Sequence, residues 1–339
     1  MAEKSGVVLA NREKCDDGYT LYSSRATERA HLIDIEGHEV HRWAYPQGET
    51  WHYAEMLPNG HLVAIVKEWE DEFPGVIFEL DWDSRLVWKA DVAAHHDLQR
   101  LDNGNTLVVC REYVENPDLG PKRYKSDCIL EITPDNDHAW EWHADRHIKE
   151  IASFVPVPFP LPDYDWGHMN TVESIPETPA GKDSRFRPGN VILSCRNIDT
   201  IGVIDRDTDK VVWAYGPGVL DKQHMPTMLP GGTILIFDNG TSAGRSRILE
   251  LDPLTEEIVW EYQADPPESF FSSSRGASER LPNGNTFITD SNSGRLFEVT
   301  PEGETVWEFF TPDYGQNGKR QPLYRALRYS KEDVEGLLG

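Results

Sequence analysis

Long hydrophobic runs are missing from this sequence. No stretch of its 339 residues approaches the roughly 20 consecutive apolar residues that a membrane-spanning helix requires. Basic residues are outnumbered, 33 against 58 acidic ones, for a formal net charge of -25. A surface that binds phosphate backbones needs a basic stripe, so neither nucleic acid nor an anionic membrane is the expected partner. The N-terminal MAEKSGVVLANREK has no cationic start followed by an apolar core, the mark of a secretory signal, and a cytoplasmic location is expected. Cysteine is scarce: Cys15, Cys110, Cys128 and Cys195 form no CxxC pair and show no metal-like spacing. They read as buried free thiols.

What is present is repetition. QHMPTMLPGGTILIFDNG from Gln223 carries a histidine at the mouth of a strand, a tight turn and a second strand of β-branched residues. WHYAEMLPNGHLVAIV from Trp51, HHDLQRLDNGNTLVVC from His95 and RGASERLPNGNTFITD from Arg275 follow the same grammar. A second signature follows each hairpin: an apolar strand, a polar turn and a strand ending in tryptophan, at Trp43, Trp88, Trp140, Trp213, Trp260 and Trp307. These six tryptophans read as packing residues. Four short strands recurring mostly every 40 to 50 residues or so are the requirement of a β-propeller blade. The expected fold is all-β, a single domain over residues 1–339 with six blades. CDDGYTLYS near the N-terminus lacks a first strand and LYRALRYS from Leu323 has the pattern of one, so the two ends are expected to complete one blade and hide its edges. Residues 143–188, with a Pro-rich run that cannot be a central strand, form an insertion expected to cap the ring.

Counting back from the leucine that ends each first strand puts His52, His96 and His224 at one offset, with Asn170 there in the fourth copy and His168 two residues earlier on the same strand face. Arg275 beside Gly276 and Tyr324 beside Arg325 hold the corresponding places in the remaining copies. First strands are innermost in a propeller, so these side chains are expected to meet. Second strands end in Arg25, Lys67, Arg111 and Arg196, against Asp238 and Asp290 in the other two copies. Cations beside histidines, in so acidic a chain, point to an anionic substrate or transition state. His95 is assigned a structural part, and His38, His41, His143 and His147 a solvated one.

The motifs HHDLQRLDNGN, WGHMNTV, SCRN followed by VVWAYG, and QHMPTMLPGGTILIFDNG resemble, in order, those of the bacterial arylsulfotransferases, which move sulfate between phenols without a nucleotide donor. The resemblance implies a six-bladed propeller, a transiently sulfated His224 with His96, His168 and Arg196 as catalytic companions, and Asn170 and Tyr324 lining the site. With His52, Arg111 and Arg275 these make the expected substrate-binding set. Aryl sulfates and phenols are the implied partners, and no cofactor is implied. Two other readings stay open. His52, His96, His168 and His224 could instead hold one divalent metal ion, as in a hydrolase, lyase or oxygenase, or the propeller could be a non-catalytic binding platform.

Overall fold

The computed structural model describes residues 4–24, 27–45, 51–66, 75–157, 159–161 and 164–338. Arg25 and Lys67 lie outside the described residues, as does the side chain of His52. The chain first forms β1 (Gly6–Ala10), β2 (Tyr19–Ser24), β3 (Arg29–Ile33) and β4 (Glu39–Ala44), and then β5 (Trp51–Met56), β6 (Leu62–Val66), β7 (Val76–Leu80) and β8 (Leu86–Asp91). Next come β9 (Ala94–Arg100), β10 (Thr106–Val114), β11 (Tyr124–Ile132), β12 (His138–His143) and helix α1 (Ala144–Phe154). They are followed by β13 (Met169–Ser174), β14 (Val191–Cys195), β15 (Thr200–Asp205) and β16 (Lys210–Tyr215), and by β17 (His224–Met228), β18 (Ile234–Asp238), β19 (Arg247–Asp252) and β20 (Glu257–Tyr262). The chain ends with β21 (Ala277–Arg280), β22 (Thr286–Asp290), β23 (Arg295–Val299), β24 (Thr305–Phe310), β25 (Leu323–Tyr329) and the short helix α2 (Lys331–Val334).

These strands make six antiparallel sheets, the blades of a six-bladed β-propeller. Two compact units divide them, residues 1–91 with 263–339, and residues 92–262. In the first unit, β25 pairs with β2, aligning Leu327 with Leu21, so one blade draws strands from both ends of the chain. The neighbouring blade in sequence gains an unforeseen fifth strand, because β1 pairs with the outer edge of β24.

The first hairpin of a blade is closed by the same pair of backbone hydrogen bonds in successive copies. Leu101 N donates to Asn105 O at 2.8 Å and Gly104 N to Leu101 O at 2.9 Å, and Leu281 N to Asn285 O and Gly284 N to Leu281 O repeat this at 2.8 and 2.9 Å. Gly104 and Gly284 sit at φ 86° and 90°, a region where a side chain is costly. In the β13–β14 hairpin the closing bond, Ile175 N to Asn190 O at 2.7 Å, persists although residues 176–189 intervene. The Asp17-Gly18 pair is different. No hairpin exists there because the chain ends meet at that point, and a Cβ on Gly18 would run into the carbonyl of Tyr329.

Three of the six repeat tryptophans, Trp43, Trp213 and Trp307, are buried to within about 1% of full enclosure. Trp88, Trp140 and Trp260 are half-buried, since their outer strands face solvent on one side. The insertion after β12 begins as α1, whose Ile148 and Ile151 pack into the core with Trp142 and Val211. Glu150 accepts from Val211 N at 2.9 Å, which ties the helix to the outer strand β16. The helical half of the insertion is therefore a brace on outer strands, and further along it Asp165 contacts His168.

Removing residues 323–339 takes the innermost strand from a four-stranded blade, whereas removing residues 1–10 takes only the outermost strand of a five-stranded one. The chain ending at residue 322 is expected to lose its cooperative thermal transition. The chain starting at residue 11 should keep a transition at lower temperature. Circular dichroism melting checks both, and equal effects would contradict the strand order.

Candidate functional site

Innermost strands leave one row of backbone N–H groups without a strand partner, and such groups must be satisfied. In the unit of residues 92–262 the preceding blade supplies side chains for them. Asp97 and Gln99 on β9 accept from Val172 N (3.0 Å) and Ser174 N (2.7 Å) on β13. Thr171 and Glu173 on β13 accept from Met225 N (2.9 Å) and Met228 N (3.2 Å) on β17. This stitching holds β9, β13 and β17 side by side.

Each of these strands is irregular where its functional residue lies. The register slips between Val108 and Cys110 opposite β9, between Met169 and Thr171 on β13, and between His224 and Thr227 on β17. Positive φ accompanies each slip, 62° at His96, 49° at His168 and 49° at Met225. A bulge of this kind re-aims a side chain away from the regular alternation, and non-glycine residues there store about 1–3 kcal/mol each. The strain turns the histidines out of the ladder toward one another.

His96 and His168 meet with ring centroids 4.8 Å apart at an interplanar angle of 73°. His95, buried beside them, lies with Nδ1 2.6 Å from His96 Nδ1 and Nε2 3.0 Å from Asp127 Oδ1. The carboxylate favours the proton on His95 Nε2, so His96 Nδ1 is the donor in the short bond and its lone pair falls on Nε2. His168 Nδ1 donates to Asp165 Oδ2 at 2.7 Å, and the same oxygen accepts from Lys125 Nζ at 2.8 Å. These contacts hold the Asp165 carboxyl well below the usual carboxylate range. Burial acts in the opposite sense, and the bonds to His168 and Lys125 outweigh it.

His224 is 3% exposed. Its Nδ1 donates to Lys222 O at 3.0 Å and to Asn239 Oδ1 at 2.7 Å. A backbone carbonyl can only accept, so the proton sits on Nδ1 and the lone pair on Nε2, which takes no partner among the described residues. Burial lowers this imidazole to a pKa of about 3, with the charges at Arg196 and His168 adding to the effect. Arg196 is half-buried, donates to Asn197 Oδ1 at 2.9 Å, and is anchored through its backbone N to His168 O at 3.3 Å. Burial pulls its basicity down too. Arg111 carries a buried Nε with no hydrogen-bond partner among the described residues, and its charge helps hold His95 neutral behind the larger effect of burial.

The structure thus brings together His96, His168, Arg196 and His224, with Arg111 beside His95. Asn170 is a departure. It is fully buried, its amide donating to Gln223 O at 2.8 Å and accepting from Thr171 Oγ1 at 3.1 Å, so its polar atoms are engaged in positioning the strand of His224. Arg275 and Tyr324 belong to the other unit. Arg275 sits at φ 60° with its guanidinium 3.5 Å from Ser274 Oγ. Tyr324 is 3% exposed and its carbonyl accepts from Ser291 Oγ at 2.9 Å. Of the second-strand acids, Asp238 pairs with Arg247 at 2.8 Å and Asp290 is buried, its pKa raised to about 6 by that burial.

Sequence reasoning missed Asp127, Lys125, Asp165 and Asn239, and undervalued His95. The His95-His96 doublet and the DYDWGH spacing of Asp165 to His168 were the available signals. Two of the histidines expected in solvent are packed: His41 stacks on Trp82 at 3.6 Å between centroids and His147 on Trp142 at 4.8 Å. His143 joins Glu112, whereas His38 is 77% exposed. As for metal, the groups of three ligand atoms within 4.8 Å among the described residues are Glu112, Cys128 and His143, and Asp34, Glu36 and His38. Neither includes His96, His168 or His224.

The family comparison marks this as a propeller of the sulfotransferase type. The chain belongs to the arylsulfotransferase (ASST) family, whose model matches residues 53–311. A comparison with curated protein sequences finds no match. Among solved structures, a protein of unknown function from Bacteroides caccae is similar with a TM-score of 0.59 at 13% identity, covering 92% of this chain and 99% of that one. A periplasmic gluconolactonase from Pseudomonas aeruginosa aligns with a TM-score of 0.53 at 13% identity over 91% and 99% of the two chains. A streptogramin B lyase aligns at 0.52 and 12% identity over 96% and 93%. At these identities the likeness is one of fold.

His224 stays neutral down to about pH 3 when folded, against about 6.5 in an unfolded chain. The unfolded chain therefore binds the extra proton between those values, and stability drops as pH falls through that window. His95, lowered chiefly by burial, acts in the same direction. Replacing His224→Asn removes one of these titrations. Between about pH 6 and 4 the slope of stability against pH, from urea midpoints, should then shrink by up to about 1.4 kcal/mol per pH unit. An unchanged slope would mean the folded imidazole is already charged.

Proposed function

We propose that the chain transfers a sulfuryl group from an aryl sulfate to a phenol through a sulfo-histidine at His224, with no nucleotide. The observation that carries this reading is the state of His224: neutral, its N–H fixed at Nδ1 by Lys222 O and Asn239 Oδ1, and its lone pair on Nε2. An imidazole in that state is a nucleophile at any pH near neutrality.

In the first half-reaction Nε2 attacks sulfur in line with the aryl oxygen. The S–O bond breaks as the N–S bond forms, and the electron pair leaves with the phenolate. By analogy with phosphoryl transfer, the transition state is loose and its charge spreads over three equatorial oxygens. The Arg196 guanidinium answers that charge, with Arg111 as the second cation in the same unit. As Nε2 bonds to sulfur the ring becomes cationic, and the two acceptors on Nδ1–H grow stronger partners for it. A protonated His168, its Nδ1–H kept on Asp165, donates its Nε2 proton to the departing phenolate. In the second half-reaction the same imidazole removes the proton of the incoming phenol, whose oxygen attacks sulfur. The N–S bond breaks and His224 returns to its neutral form. Asp165 and the Asp127–His95 pair orient His168 and His96 by holding their Nδ1 protons, the part a third group plays in a catalytic relay.

With 4-nitrophenyl sulfate and no acceptor, the enzyme should release one equivalent of 4-nitrophenol and gain one sulfuryl group on the peptide containing His224. His224→Ala should show neither, and Arg196→Ala should lower the rate of the burst by about 10²–10³-fold. A label found on another residue, or a full burst from the His224→Ala protein, would refute the intermediate.

A further inference from the structure

Cys110 and Cys128 are 18 residues apart in sequence, a separation without meaning for metal binding when read along the chain. In the folded blade they are directly opposite one another on β10 and β11, and Cys128 is in turn opposite His143 on β12. Glu112, two residues beyond Cys110, shares their face of the sheet by the alternation of a strand. Cys128 Sγ, a Glu112 carboxylate oxygen and a His143 ring nitrogen all lie within 4.8 Å of one another. His143 Nδ1 is 2.9 Å from Glu112 Oε2.

We infer that Glu112, Cys128 and His143 form a binding site for one thiophilic divalent cation of the zinc type. The donor set of one thiolate, one imidazole and one carboxylate leaves a fourth, tetrahedral position for water. Sulfur among the ligands selects zinc-like ions over magnesium or calcium, which take oxygen alone. A second observation comes from outside the three ligands. Glu141 Oε2 stands 3.8 Å from His143 Nε2, beyond hydrogen-bond reach but on the side where a metal-bound histidine takes a carboxylate partner. Cys110, directly opposite on β10, sets a second sulfur-bearing side chain beside Cys128 on the same face. Solvent reaches the site, since the side chains of His143 and Glu112 are 15% and 22% exposed. Binding moves the His143 proton to Nε2, facing Glu141, and releases the thiol proton of Cys128 to water.

The site is independent of the sulfuryl-transfer reading. Arg111 and Asp127 are the immediate neighbours of Glu112 and Cys128 and project to the other face of the same two strands. A cation clamped on one face would therefore stiffen the strands that hold Asp127 against His95 on the other.

The test uses the full chain, kept reduced and stripped with a chelator, then titrated with Zn²⁺ against a chromophoric competitor and with Co²⁺ by absorption. One equivalent should bind, and the Co²⁺ form should show a thiolate-to-metal charge-transfer band. Cys128→Ser should abolish the band, Glu141→Gln should weaken binding by about 10- to 100-fold, and His38→Ala, in the exposed second group, should change nothing. Far-ultraviolet circular dichroism of each metal-free variant verifies that it folds, and Glu112→Gln, which preserves shape, gives a second ligand variant should Cys128→Ser fail to fold. Absence of stoichiometric binding, a Co²⁺ spectrum without the band, or wild-type affinity in both the Cys128 and Glu112 variants would overturn the assignment.

Discussion

The structure depends on how the innermost strands satisfy their unpaired N–H groups. A strand at the edge of a sheet carries a row of donors that water or a partner must meet. Here the partner is a side chain from the neighbouring innermost strand, two residues per step: Asp97 with Gln99, then Thr171 with Glu173. Glu279 serves Arg328 N in the other unit at 3.0 Å. Its price is visible in the carboxyl itself, which burial raises to a pKa of about 7. Each such bond sets the height of one innermost strand against the next. The bulges at His96, His168 and Met225 then act on strands already in register, so strained residues far apart in sequence aim at a common place.

Electrostatics follows from that placement. A chain with net charge -25 concentrates Arg111, Lys125 and Arg196 around three imidazoles. All three cations are partly enclosed, where a charge acts more strongly than at the surface. The acids close by have partners: Asp165 is tied to Lys125 and His168, and Asp127 to Met169 N at 2.8 Å. The positive field is therefore local, and the acidity of the rest of the chain does not cancel it.

Much of the fold was legible because the repeat is written twice in each blade, once in the Gly turn and once in the Trp strand. The completion of a blade by Leu323–Tyr329 was legible for the same reason, since LYRALRYS matched the pattern of a missing strand. The fifth strand Gly6–Ala10 was not, because GVVLA repeats nothing and adds little beyond backbone pairing with β24 and the packing of Val7. Helix α1 was hidden in an insertion read for its prolines. Within the site, a shared offset found His96 and His224 because both stand on one face of equivalent strands. It also picked Asn170, which has the offset but points into the protein, since the bulge at Met169–Thr171 shifts the face by one. Asp127, Asp165 and Asn239 stayed invisible for a plainer reason: their value comes from contacts across strands and loops, and no spacing along the chain encodes those.

The sharing of one sheet by both ends of the chain has a consequence for biosynthesis. Leu21 leaves the ribosome about 300 residues ahead of its partner Leu327, so β2 and β3 wait with an unpaired inner edge while the whole intervening polypeptide is translated. Local hairpins such as β9–β10 form as they emerge, but this sheet is finished only once β25 has emerged. Until then its exposed rim is the natural target for chaperones, and for mispairing with another nascent copy.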